Sequence, residues 1–194
     1  MQLRKTFIHP TSEVHASATI GQGVSIWNWS KVRERATIGD ATNIGQSNYI
    51  DIDVRIGTRC KLQNGVYIYA GVTLGDDVFV GPNATFTNDR VPRAHLPYWK
   101  IVDTMVADGA SIGANATIVC GITLGRHCMI AAGAVVTRDV PAFALVMGSP
   151  ARIFDYVTVS GRRVGWQAGQ PAPNEADLLD KTMGFEGRED LLGS

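Results

Sequence analysis

Large apolar residues recur along this chain at every sixth position. Counted from Ile8, the series runs Ile8, Val14, Ile20, Ile26, Val32, Ile38, Ile44, Ile50, Ile56, Leu62, Ile68, Leu74, Val80 and Phe86. It breaks for nineteen residues and resumes at Val106, Ile112, Ile118, Leu124, Ile130 and Val136. With 45% of residues apolar, twenty hits in twenty trials would arise by chance about once in 10⁷ attempts. The fifth residue of most units is small or β-branched, as at Ala18, Val24, Ser30, Thr42, Val54, Cys60 and Val78. Glycine often follows the large residue, as in Ile38-Gly39, Ile56-Gly57 and Leu74-Gly75. Such a period is the hexapeptide repeat of a parallel β-solenoid.

The period predicts the elements. Each unit is a short strand with its first and fifth residues pointing inward, followed by a tight corner near residues two and three. Glycine suits the corner because it reaches positive φ without steric cost. Three units close a triangular coil of eighteen residues, and coils stack at roughly 4.8 Å. Residues eighteen apart therefore lie one above the other.

Residues 8–91 give about four and a half coils and residues 106–140 two more. Between them, the insertion 87–105 carries two prolines and no repeat, so it leaves the prism as a loop; loops of this length in compact domains are usually functional. Val140-Pro141 and Met147-Gly148-Ser149-Pro150-Ala151-Arg152 close the solenoid, giving a repeat domain over 1–152 and a tail over 153–194. In the tail, alternation from Ile153 to Val159 predicts a strand turning at Ser160-Gly161. Glu175–Met183 reads as a short amphipathic helix, and the last ten residues as frayed.

Eighteen basic residues balance eighteen acidic ones with no Lys/Arg block, which argues against nucleic acid as a partner. No apolar stretch approaches the roughly 20 residues of a membrane span, and Met1–Ile8 does not read as a signal peptide, so a cytoplasmic protein without membrane insertion is expected. Cys60 and Cys128 fall at inward fifth positions and Cys120 at a corner. Their spacing fits no zinc or disulfide framework, and all three read as packing residues in a reducing compartment.

Particular segments carry a family likeness: Lys61-Leu62-Gln63-Asn64-Gly65-Val66, Asp77-Val78-Phe79-Val80-Gly81-Pro82, Phe86-Thr87-Asn88 with Pro92-Arg93, Gly113-Ala114-Asn115-Ala116-Thr117, Ala132-Gly133-Ala134-Val135-Val136-Thr137, and the closing Gly148-Ser149-Pro150-Ala151-Arg152. Over roughly residues 8–165 the chain resembles the hexapeptide-repeat acyltransferases. Within them it is most similar to nucleotide-sugar N-acetyltransferases of surface-polysaccharide synthesis, such as those acylating the 3-amino group of a UDP-linked 2-acetamido-3-amino-glucuronate. The resemblance implies a left-handed parallel β-helix and a homotrimer with each active site between two subunits. It also implies acetyl-CoA as co-substrate and a nucleotide-linked amino sugar as acceptor. Three departures stand out. The family often has Glu where this chain has Ala70, basic residues where it has Ala107-Asp108, and a longer inserted loop.

The eighteen-residue coil converts sequence numbers into places. Asn28, Gln46 and Asn64 stack along one edge, and Ala114 and Ala132 return to it above Asn64 once the insertion is passed. A second edge carries Ile52, Ala70 and Asn88. The first edge thus offers amides below, suited to a sugar nucleotide, and small residues above, suited to an extended pantetheine arm. A ladder of amides bonding one another would account for the same polar column without a ligand. Substrate-binding candidates are Asn28, Gln46, Asn64, Tyr69 and Arg93, the last by a bidentate fork to an acidic group. For the cofactor they are Ala114, Ala132, Gly133, Gly148 and Ser149, with Arg138 and Arg152 placed near the top to meet CoA phosphates.

Acetyl-CoA is already activated, so orientation supplies much of the rate. The resembling enzymes use an asparagine at the position of Asn88, whose carbonyl accepts a hydrogen bond from the sugar amine and aims its lone pair. His95, in the loop, is the candidate general base, although a plain surface histidine fits the sequence equally. Alternatives are O-acetylation of a sugar or small metabolite, which would require a histidine base, a γ-class carbonic anhydrase, which would need three histidines converging on zinc, and a non-catalytic spacer. His9 and His15 are six apart and so on different faces, with His127 several coils above, so no metal is expected.

Overall fold

The six-residue period becomes a prism with three sheeted faces. Each large first-position residue ends a strand of two or three residues, and strands eighteen apart pair in parallel: Ile26 with Ile44, Val32 with Ile50, Ile38 with Ile56. The computed structural model describes residues 5–179. Within them the first sheet climbs from Phe7–Ile8 through Ser25–Ile26, Asn43–Ile44 and Lys61–Leu62 to Met129–Ile130 and Ala144–Gly148. The second climbs from Glu13–Val14 through Tyr49–Ile50, Tyr67–Ile68 and Thr85–Phe86 to Val135–Val136. The third runs from Thr19–Ile20 through Arg55–Ile56, Val72–Leu74 and Thr104–Val106 to Thr123–Leu124. The chain is a parallel β-solenoid.

Inward positions carry the stability. Ile26, Ile44, Ile50, Leu62, Ile68, Ile112, Ile118 and Leu124 are fully buried, each contributing roughly 1.5–3 kcal/mol against an exposed reference. The lowest coil is the exception: Ile8 stays 40% exposed, since no coil of the described residues stacks beneath it. Asn48 occupies a narrow fifth position as a polar residue, and both ends of its amide are bonded. Its Nδ2 donates to Gly45 O at 2.7 Å, and its Oδ1 accepts from the Val66 N–H at 2.7 Å.

Corner chemistry differs from the expectation for glycine. Positive φ falls on the fourth residue of the unit, and non-glycine residues mostly hold it, among them Trp29, Ala41, Ser47, Asp53 and Asn83. The cost is offset because that residue's N–H donates to a third-position carbonyl in the coil below, Ser47 to Asn28 at 3.0 Å and Asn83 to Asn64 at 2.9 Å. Second-position glycines serve close approach instead. A Cβ on Gly81 would sit 2.6 Å from the Ala114 nitrogen, inside any tolerable contact.

The insertion is narrower than the gap in the apolar series. Leu74 pairs with Val106, thirty-two residues on instead of eighteen, so fourteen residues are added to one coil. The chain keeps its coil through Asn88, with the Thr87 N–H on Ile118 O, and rejoins where the Val102 N–H meets Asn88 O at 3.0 Å. Thr104 and Met105 already belong to the third sheet.

At the top, Ala151–Tyr156 turns back antiparallel on Ala144–Gly148. Asp155 is fully buried there, accepting from the Tyr156 and Trp166 N–H groups at 2.8 Å and from Arg163 Nε at 2.9 Å. The expected turn at Ser160-Gly161 is present, with Gly161 at φ 88°. A helix, Glu175–Leu178, is capped by Asn174 and buries Leu178. The helix stops there, because Leu179 is already extended as its C-cap, short of the expected end at Met183; residues 180–183 and the expected frayed end lie outside the described residues.

Candidate active site

The break in the repeat builds a cleft. Ile52, Ala70, Asn88 and Cys120 are third-position residues on one corner between the second and third sheets. After Asn88 the loop rises, and Arg90 donates to Cys120 O at 3.1 Å and to Gly121 O at 3.2 Å. This cover explains why Cys120, at a corner, is nevertheless fully buried. The returning limb brings Trp99, Ile101 and Asp103 down beside Gly71, whose φ of 92° and close neighbour Ile101 leave no room for a side chain. Between the returning limb and the corner lies a cleft of about 810 Å³, whose walls include Arg33, Tyr49, Asp51, Arg55, Tyr69, Asn88 and Trp99.

The polar groups of this cleft form a network. Asp51 is 8% exposed and accepts from Tyr49 Oη at 3.1 Å, the Ile52 N–H at 2.8 Å and the Ala70 N–H at 3.2 Å. Arg33 donates to Glu34 at 2.7 Å and to Tyr49 Oη at 2.9 Å. Those two bonds, Glu34 first, raise the Arg33 guanidinium further above its ordinary value, and Arg33 holds the Glu34 carboxyl below the usual range. Tyr49 and Tyr69 lie ring to ring at 5.6 Å. Asn88 is 9% exposed, yet its Nδ2 is buried with no partner. Buried polar groups in folded proteins are nearly always bonded, so an orphaned amide lining a cleft points to a ligand as its partner.

Of the sequence candidates, Tyr69 and Asn88 line this cleft. His95 and Arg93 are exposed in the loop and are not among its walls, and Arg93 Nη1 donates to Pro92 O at 3.1 Å. The first edge is continuous as reckoned. Asn28, Gln46 and Asn64 stack, Ala114 lies below Ala132, and Gly148 caps the column, because Val146 pairs with Ile130. Asn64 Oδ1 accepts from the Gln46 backbone N–H at 3.0 Å, so this side chain bridges two successive coils. Ala132 and Gly133 are exposed, and the space beside Gly133 is open. Ser149 and Arg152 stand exposed on the hairpin above them. Arg138 is also exposed near the top, but on the second corner, above Cys120 and one face away from Ala132.

Arg33, Tyr49 and Asp51 escaped the sequence reading. Their signal was available: Arg33, Asp51 and Tyr69 are eighteen apart and so stack on the outer face of the second sheet. The remaining histidines lie apart. His9 Nδ1 bonds Thr11 Oγ1 at 2.9 Å, His15 Nδ1 bonds Ser17 Oγ at 2.8 Å, and His127 stacks on Phe143 at 5.2 Å. Among the described residues no three His, Cys, Asp or Glu side chains converge as metal ligands, and no helix is long and apolar enough to cross a membrane.

Known proteins share this repeat. The bacterial transferase hexapeptide repeat matches residues 53–88 and 103–138, and the hexapeptide repeat of succinyl-transferase matches 35–70. The gap between the first two matches is the loop. A dTDP-3-amino-3,6-dideoxy-α-D-galactopyranose 3-N-acetyltransferase of Aneurinibacillus thermoaerophilus is 57% identical over 54 residues, 28% of each chain. A bifunctional protein GlmU of Prochlorococcus marinus is 32% identical over 82% of this chain and 32% of its own. The chain thus spans about a third or less of the length of these two relatives. A hexapeptide-repeat acetyltransferase of Vibrio cholerae, solved with acetyl coenzyme A, superposes with a TM-score of 0.57 at 27% identity, over 61% of this chain and 69% of its own.

Proposed function

We propose that this chain, which belongs to the hexapeptide-repeat family, transfers the acetyl group of acetyl-CoA to the amine of a nucleotide-linked amino sugar in surface-glycan synthesis. The observation that carries this reading is Asn88 at the wall of a cleft that also holds a buried carboxylate: its buried Nδ2 has no protein partner and is left to donate to an acceptor on a ligand, while its carbonyl oxygen can accept from an amine. Similarity to an amino-sugar 3-N-acetyltransferase and to an acetyltransferase solved with acetyl coenzyme A supports the reaction class.

Asn88 orients the amine towards the thioester, and Tyr69 packs beside the sugar. The pantetheine arm runs along Ala114, Ala132 and Gly133, where small side chains leave backbone amides within reach. Arg152 and Ser149 receive the CoA phosphates, together with Arg138 from the neighbouring corner.

The working form is a cytoplasmic homotrimer of roughly 63 kDa, three times the 20.9 kDa chain. In it, the Asn28–Gln46 edge of one subunit meets the cleft and loop of the next. The exposed Leu96, Tyr98, Trp99 and Ile101 of the loop support such a neighbour, since contiguous apolar patches on soluble proteins usually mark interfaces.

The experiment is acetyl transfer by the purified protein, with thiol release followed using acetyl-CoA and dTDP-3-amino-3,6-dideoxygalactose or a UDP-linked 2-acetamido-3-amino sugar. Thiol release that depends on the sugar amine is expected. No release with either sugar, together with no acetyl-CoA binding by calorimetry, would overturn the reading.

A further inference from the structure

Asp51 is the cleft's most buried charge, and acetyl transfer through Asn88 alone leaves it unused. A carboxylate has about four acceptor positions. On Oδ1, Tyr49 Oη and the Ile52 N–H occupy two, with Arg33 Nη1 a further 3.8 Å away; on Oδ2, the Ala70 N–H occupies one. Oδ2 therefore keeps one position open. Its protein partner, Ala70, is one coil above Asp51 and directly beneath Asn88, so the open acceptor and the orphaned amide belong to coils two apart, with Ala70 between them.

The charge on Asp51 is also poorly balanced. Arg33, the cation nearest it, is bonded to Glu34 at 2.7 Å. Arg35, a coil below, forms a two-point pair with Asp53, and Arg55, the other arginine of the cleft walls, is exposed to solvent. A carboxylate this buried, without a full counter-charge, is costly unless a cation joins it.

We infer that Asp51 anchors the substrate's ammonium group, accepting its hydrogen bond at Oδ2 in the cleft whose wall Asn88 shares two coils above, and taking one proton before attack. This rests on the amino-sugar reading above. A sugar amine is largely protonated in neutral water and cannot attack in that form. Transfer of one N–H proton to Asp51 frees the lone pair. The C–N bond then forms at the thioester carbonyl and the C–S bond breaks. The nitrogen's second departing proton ends on the CoA thiol, and Asp51 returns the first to solvent. The products are the amide, the free thiol and one proton. In this scheme Asn88 aims the amine, while Asp51 selects an amine over a hydroxyl.

Selection is measurable apart from turnover. Calorimetry in the presence of CoA compares the binding of dTDP-3-amino-3,6-dideoxygalactose with that of its 3-hydroxy counterpart. Wild type should favour the amine at least about tenfold, as expected for a hydrogen bond to a charged group. Asp51→Asn should reduce that ratio to within about twofold and leave the affinity of the hydroxyl sugar unchanged, a result that a purely structural role would not produce. Asp51→Ser, free of the N–H that would face Ala70, is the second variant should the first not fold, and it carries the same expectation. A wild-type ratio near one, or a ratio retained in a folded variant, overturns the anchor. Failure of wild type to acetylate any amino-sugar nucleotide would instead remove the proposed function. Transfer by wild type with the ratio unchanged in the variants removes the anchor alone.

Discussion

Two edges of one prism follow the same eighteen-residue arithmetic and end in different chemistry. Along the first, coil stacks on coil without a break from Asn28 to Ala132, the insertion leaving at another corner, and Asn64 turns back on the scaffold to accept from the Gln46 N–H. Higher up, only small residues remain, leaving backbone and open space. Along the second, the period breaks after Asn88. There a buried amide has no partner, a buried carboxylate keeps an open acceptor, and a loop returns over both. In a solenoid, a regular position is occupied in holding the next coil. Polar groups become available to a substrate where the stacking is interrupted.

The largest effect should come from what both edges share. Ile118 is fully buried between them, and Ile118→Asp would place an unpaired carboxylate in a dry core, at a cost on the order of 3–5 kcal/mol. The melting temperature should fall by roughly 10 °C, or the protein should not fold. An unchanged melting temperature would mean that this position does not face the core and that neither edge is built as described.

A smaller effect should separate the edges. Ala132 is exposed on the smooth upper half of the first edge. Ala132→Trp should raise the Michaelis constant for acetyl-CoA several-fold by filling the groove, with that of the amino sugar unchanged. If only sugar binding weakens, the two halves of this edge have opposite roles to those assigned.

The fold was legible in the sequence wherever a residue's role depends on its place in the period. First and fifth positions gave the strands, the core and the stacking of Asn28, Gln46, Asn64, Ala114 and Ala132. Glycine was legible only in part. Its second-position preference was plain in the sequence, but its cause, the approach of the next coil to Gly81, depends on stacked backbones and not on local φ. The cleft was legible at Asn88 and Tyr69. Arg33, Tyr49 and Asp51 were hidden because they sit at outward positions that the apolar pattern leaves free. Their bonds also run diagonally between coils, such as Arg33 to Tyr49 sixteen residues on, a reach set by side-chain length and not by period.

The central claim, that amine chemistry belongs to the interrupted edge, is tested most directly by the kinetics of Asn88→Ala on an amino-sugar nucleotide. Losing one oriented hydrogen bond costs about 1–3 kcal/mol, roughly ten- to a hundredfold in rate. Turnover should fall at least about tenfold while the Michaelis constant for acetyl-CoA hardly moves, and His95→Ala, outside the cleft walls, should cost less. Full turnover in Asn88→Ala, or a larger loss in His95→Ala, would contradict the account.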